Sequence, residues 1–222
     1  AWKAWLILRD SSTFQEQLYY SDDYLGPTTT WTVVYDRALH RVVTGDGAAS
    51  CTIVRASPSV DSGFEDYIWM AVNGQQGNLN GLLHSHTKGI PYAAASWNFL
   101  NIDPGVFRQP QDLEVHQRNS NYVYFISTGA LAGDGYRSAD HGHSVTATAA
   151  NFANANDGDY RAPYDDLTGL VIYHRDSSPG RGAFKSTDGH VTETAQAIDA
   201  RDHRRPNDMI ANWDRTKWYY FG

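Results

Sequence analysis

The feature that most limits what this chain can fold into is the shortness of its apolar runs. Trp5-Leu6-Ile7-Leu8, Trp31 to Tyr35, Tyr67 to Val72, Tyr122 to Ile126 and Leu170 to Tyr173 are each strand-length and rich in aromatic and β-branched residues. Runs of that length and composition fit pleated sheets, and continuous apolar character implies burial on both faces. Turn signals separate them: Leu25-Gly26-Pro27, Asn73-Gly74, Asp103-Pro104-Gly105, Gly133-Asp134-Gly135 and Ser178-Pro179-Gly180. Helical patterns are fewer. Thr192 to Arg201 reads as a short helix, Phe14 to Tyr20 is a weaker one, and Val145 to Ala155 is Ala-rich but interrupted by Thr and Asn. No internal repeat or heptad pattern emerges, and the polar stretch from Asn154 to Asp166 reads as a long exposed loop. The expected architecture is one domain over 1–222, mixed α/β and dominated by strands.

A chain of 222 residues buries enough surface to need no disulfide scaffold. Its single Cys51, within Cys51-Thr52-Ile53-Val54, reads as a small buried hydrophobe. No apolar stretch is long enough to cross a bilayer, so no membrane partner is expected. The net charge of −7 argues against a basic surface for nucleic acid at neutral pH. Protonating all 9 His would move it from −7 to +2, so below the ordinary histidine pKa a polyanion meets no net repulsion.

The segment Gly81-Leu82-Leu83-His84-Ser85-His86-Thr87-Lys88-Gly89 concentrates chemistry. Read as a strand running into a turn, it places His84, His86 and Lys88 on one face, since residues i and i+2 share a side. Two imidazoles and an ammonium suit a phosphodiester: Lys neutralises oxygen charge while His attacks phosphorus or moves a proton. On the bland reading the same run is a solvated strand edge.

His86-Thr87-Lys88-Gly89 resembles the first His-x-Lys element of the deoxyribonuclease II family. Trp5 to Leu8, Gln17 to Asp23, Tyr67 to Gln75 and Asn121 to Ser127 resemble, in order, segments around that element. The resemblance implies a phospholipase-D-like arrangement, two His-x-Lys half-sites and a metal-independent acid endonuclease. His86 and Lys88 would form one half-site. For the second, Asp214-Arg215-Thr216-Lys217-Trp218 keeps Lys217 but has Arg215 where the family has His, and Asp202-His203-Arg204-Arg205 offers His203. The resemblance thus casts His86 as nucleophile, Lys88 and Lys217 as phosphate contacts, and His84 or His203 as proton donor. Arg215, Arg204 and Arg205 would contact substrate. It implies nucleic acid as substrate, no cofactor, no metal, a possible homodimer, and secretion or a lysosome-like acidic compartment.

Two other classes compete. The Trp and Tyr residues, 7 and 14 in number, fit a secreted carbohydrate-binding protein, because exposed aromatic rings stack on sugars. Asp140-His141-Gly142-His143 has a metal-ligand spacing. If His84, His86, His141 and His143 converge, the chain is a metal-dependent hydrolase and the nuclease reading fails.

Overall fold

The structure is a computed structural model that describes residues 3–45, 52–59, 63–73, 81–101, 109–116, 118–128, 133–152, 159–162, 166–175, 183–192, 194–195, 208–211 and 218–221. Its strands form antiparallel sheets of chain neighbours, and within each sheet every strand after the first pairs with the one before it. The first sheet holds β1 (Ala4–Arg9), β2 (Glu16–Ser21) and β3 (Thr32–Tyr35). The second holds β4 (Thr52–Pro58), β5 (Ile68–Asn73), β6 (Gly81–Ser85) and β7 (Asn98–Asn101). The third runs β8 (Gln109–Val115), β9 (Val123–Thr128), β10 (Gly133–Ser138) and β11 (Thr146–Phe152). The fourth runs β12 (Asp159–Arg161), β13 (Ile172–Arg175), β14 (Ala183–Ser186) and β15 (Thr194–Ala195). A last pair joins β16 (Asp208–Ala211) to β17 (Trp218–Phe221). Successive four-stranded meanders of this kind are the blades of a β-propeller.

The sequence explains why the sheets stack. In β5, Ile68, Met70 and Val72 pack with Leu18, Val34 and Tyr35 of the first sheet, while Trp69 and Ala71 pack with Leu113, Val115 and Phe125 of the third. Strand β9 repeats the pattern, with Val123 and Phe125 on one side and Tyr124 and Ile126 facing Tyr160 and Ile172 on the other. Strands apolar at every position are what a sheet covered on both faces requires.

Several expectations are corrected here. The mixed α/β, phospholipase-D-like fold is replaced by a nearly all-β one. Among the described residues the only α-helix is α1 (Arg37–Thr44). Asp36 caps it by accepting from the Leu39 N–H, and Gly45 closes it in the left-handed conformation. The helix expected over Phe14 to Tyr20 is strand β2, because Leu18 and Tyr20 share an inward face. In Thr192 to Arg201, Thr194 and Ala195 instead pair with β14. Val145 to Ala155 contains strand β11, and the expected loop from Asn154 to Asp166 contains β12.

The chain also contains a repeat that residue identities conceal. Strands β2, β6, β10 and β14 each end on a serine: Ser21, Ser85, Ser138 and Ser186. In each turn the serine Oγ accepts from the N–H two residues on: Asp23, Thr87, Asp140 or Asp188. In the last three it also accepts, at 2.8 Å, from the N–H four residues on: Gly89, Gly142 or His190. Those turns carry two successive left-handed residues, Lys88-Gly89, His141-Gly142 and Gly189-His190. The first of each pair donates its N–H to the loop joining the first two strands of its own sheet, at Asp66, Asn121 and Leu170. Thr87 occupies the position that Asp23, Asp140 and Asp188 fill in the other turns.

Candidate functional site

In an antiparallel meander, alternate connections emerge at the same end. The serine turns therefore share one face of the stack with the loops β4–β5, β8–β9 and β12–β13. On this face the second and third sheets meet, and there the sequence's His-x-His pairs come together.

His84 is the fourth residue of β6. It shares a side with Leu82, which packs toward the third sheet, so His84 points into that seam and is 2 % exposed. His86 follows in the turn, stacked on Tyr67 with centroids 3.9 Å apart and planes 4° apart. His143 arrives from the serine turn of the third sheet. The His84–His86, His84–His143 and His86–His143 ring centroids lie 4.9, 4.9 and 5.1 Å apart. His141 turns instead onto Phe64, 4.6 Å between centroids, and its carbonyl accepts from the Trp69 Nε1 at 2.8 Å.

Electrostatics keeps the two inner rings neutral. Burial, reinforced by His86 and His143, pushes His84 down to about 3. Burial and then His143 and His141 push His86 down to about 4. Asp140 is held at about 2, since hydrogen bonds from Ser144 and Ser138 outweigh its burial.

A pH prediction follows for the protein kept in excess chelator. Both folded pKa values lie below the ordinary 6.5, so below that pH the unfolded chain binds more protons. Stability present above about pH 6.5 is lost as pH falls toward 4, by up to about 1.4 kcal/mol per pH unit for His84 and by less for the more solvent-screened His86. Urea unfolding of the parent and His84→Leu from pH 7 to 4.5 should show the variant's slope shallower by about one proton. Equal slopes would mean that His84 is solvated.

Lys88 does not join His86. The strand ends at Ser85, and the left-handed backbone at Lys88 (φ 63°) breaks the i, i+2 alignment. Its ammonium reaches Asp66 at 3.1 Å and lies over the Tyr20 ring at 5.5 Å. Asp66 also pairs with Lys3 at 2.9 Å. Burial lowers the Lys88 pKa, but the Asp66 bond outweighs it and the net shift is upward. Gly89 lies against Trp97 and Val34. His203, Arg204, Arg205, Arg215, Lys217 and Cys51 lie outside the described residues.

Sequence reasoning missed the exposed aromatic turn of the first sheet. Tyr24 is 50 % exposed and meets Trp31 edge-on with centroids 6.0 Å apart. The turn signal at Leu25-Gly26-Pro27, flanked by two aromatics, was the available clue.

Neither the protein-family models nor the curated proteins compared with the sequence contain a match. Among solved structures, the chain is similar to a GH74 enzyme from Niastella koreensis, with TM-score 0.61 and 15 % identity over 96 % of this chain and 32 % of that one. The GH74 xyloglucanase of Xanthomonas campestris gives TM-score 0.59 and 15 % identity over 98 % of this chain and 35 % of that one. An ancestral GH74 enzyme gives 0.51 and 13 % over 82 % and 22 %. This chain thus spans about a third of the length of the first two. The acid endonuclease expectation is overturned: the bladed fold is not the two-half phospholipase-D-like arrangement that it required. None of the described helices is long and apolar enough to cross a membrane.

Proposed function

We propose that this chain is a carbohydrate-binding β-propeller segment that contacts its ligand through the aromatic turn between β2 and β3. The observation that carries the reading is the Tyr24–Trp31 pair, presented to solvent on a scaffold that a xyloglucanase also uses. An exposed aromatic face stacks on the C–H face of a sugar ring, and a rigid ring does so at low entropic cost. Trp31 braces Tyr24 from the side, and the Thr29 hydroxyl donates to the Tyr24 carbonyl at 3.0 Å. On the next turn Tyr92 is 45 % exposed, and its hydroxyl donates to Asp36, which holds that ring in place.

Four described aspartates of this face suit binding better than acid catalysis of glycoside cleavage. Glycoside cleavage needs one carboxyl that stays protonated to act as acid, set across the bond from an ionised one. Asp23 and Asp188 are held below the usual range by hydrogen bonds, first from Ser21 and Thr192 respectively. Asp66 is lowered by Lys3 and Lys88 against its burial, and Asp140 sits at about 2. None of these four can donate a proton near neutral pH.

Isothermal titration with xyloglucan and cello-oligosaccharides tests the reading. Tyr24→Ala should weaken binding about tenfold, the worth of one good aromatic stack, with an unchanged unfolding temperature because the ring is exposed. No heat with any soluble β-glucan at millimolar concentration sinks the reading, as does full affinity in the variant.

A further inference from the structure

We propose that His84, His86 and His143 form a binding site for a single divalent transition-metal ion of the zinc class. Each ring offers one nitrogen, and the three nitrogens lie within 4.8 Å of one another. They come from two sheets: His84 and His86 from the end of β6 and its turn, His143 from the turn after β10. Fold closure, not local sequence, assembles the trio. The site stands apart from the Tyr24 turn, so failure of either proposal leaves the other intact.

The hydrogen bonding of the seam favours a cation at this place. Both ring nitrogens of His84 and the Nε2 of His86 are buried without any protein partner. A buried polar group left unmatched costs about 1–3 kcal/mol. Elsewhere the chain provides for its buried imidazoles. Tyr35 hydroxyl meets His40 at 2.7 Å, Tyr160 hydroxyl meets His190 at 2.9 Å, and Asp166 meets His116 at 3.3 Å. The seam departs from that practice at His84, whose two ring nitrogens both lack a protein partner, and a cation there would accept a lone pair from it and from His86.

The donor set selects the ion. Three imidazoles suit Zn2+, Cu2+, Ni2+ or Co2+, whereas Ca2+ and Mg2+ require oxygen. Asp140 is not a ligand: Oδ1 accepts from the Ser138 hydroxyl and Ser144 N–H, and Oδ2 from the Ser144 hydroxyl. Its negative charge still favours a cation beside His84 and His143. Tetrahedral zinc places its nitrogens about 3.3 Å apart, so each ring must move inward by less than about an ångström. The Tyr67 stack orients the His86 ring, and the Trp69 bond anchors the turn carrying His143. His143 is itself exposed, so it has room to swing.

The test uses the full chain with any polyhistidine tag removed, stripped by chelator and dialysed. Zn2+ titrated against a competing chromogenic chelator should bind at one equivalent with micromolar or tighter Kd. Co2+ at the same site should give the visible bands of a four-coordinate ion, and Zn2+ should raise the unfolding temperature. His143→Ala changes an exposed side chain, so it should keep the parent's near-ultraviolet dichroism while losing about 100-fold in affinity. His86→Ala should lose a similar factor and serves as the second variant. Stoichiometry well below one, parent-like zinc affinity in either variant, or equal response to Ca2+ overturns the site.

Discussion

Trp69→Ala is expected to destabilise the protein by about 3–5 kcal/mol, the range for removing a large buried aromatic ring, with the value near the top. Trp69 is fully buried in the seam between the second and third sheets, packed with Leu82, Leu113, Val123, Phe125 and Tyr136. Its removal leaves a void between two sheets whose backbones are pinned by their own ladders, so collapse is incomplete. The indole also donates to the His141 carbonyl at 2.8 Å, and losing that bond orphans an acceptor for about 1–3 kcal/mol more if water cannot reach it. Trp69→Phe should separate the two effects, retaining most of the packing and losing only the donor. Urea unfolding monitored by circular dichroism reads both variants. A loss under about 1 kcal/mol for Trp69→Ala would mean that the sheets do not stack through this residue.

The same residue shows how the sequence spoke and where it stopped. Tyr67 to Val72 announces a strand, and its unbroken apolar character announces burial on both sides. That reading needs no knowledge of which sheets cover it. The pairing of Trp69 with the turn at His141, 72 positions away, is tertiary and leaves no local trace. His84-Ser85-His86 and His141-Gly142-His143 were visible as spaced imidazole pairs. The structure brings three of the four rings together and sends His141 to Phe64.

The phosphodiester reading fell with its fold, and its shared face for His86 and Lys88 also meets a backbone obstacle. It extended strand geometry through Lys88, but the strand stops at Ser85 and the chain turns left-handed three residues later. The repeat that would have revealed this was hidden by its own chemistry. Only the serine is constant, and its work is done by backbone N–H groups that any residue supplies. Thr87 replaces the aspartate in one copy, and the last copy exchanges the glycine position, Gly189-His190 against Lys88-Gly89. Helix α1 escaped notice because it is short, though Asp36 before it and Gly45 after it carried ordinary stop and start chemistry. Strand β2 was masked by Gln15, Glu16 and Gln17, good helix formers whose neighbours Leu18 and Tyr20 obey the period of two.

Gly89→Ala should therefore destabilise the protein by about 2–4 kcal/mol, combining left-handed strain with overpacking. Gly89 sits at φ 76°, and an added Cβ would lie 2.6 Å from the Trp97 ring and 3.0 Å from Val34 Cβ. Neither neighbour can yield cheaply. Trp97 is buried against Tyr35 at 5.0 Å between centroids, and its Nε1 is tied to the Val34 carbonyl at 3.1 Å. The Gly89 N–H meanwhile donates to Ser85 Oγ at 2.8 Å, so shifting the turn outward breaks the bond that defines it. Ser85→Ala should move stability in the same direction by about 1 kcal/mol, since it removes an acceptor while adding no atoms. Had Gly89 been kept small to admit a ligand, the substitution would impair binding and leave unfolding unchanged. Thermal unfolding of Gly89→Ala against the parent decides the matter: a transition within a degree of the parent's would show that the turn does not need glycine there.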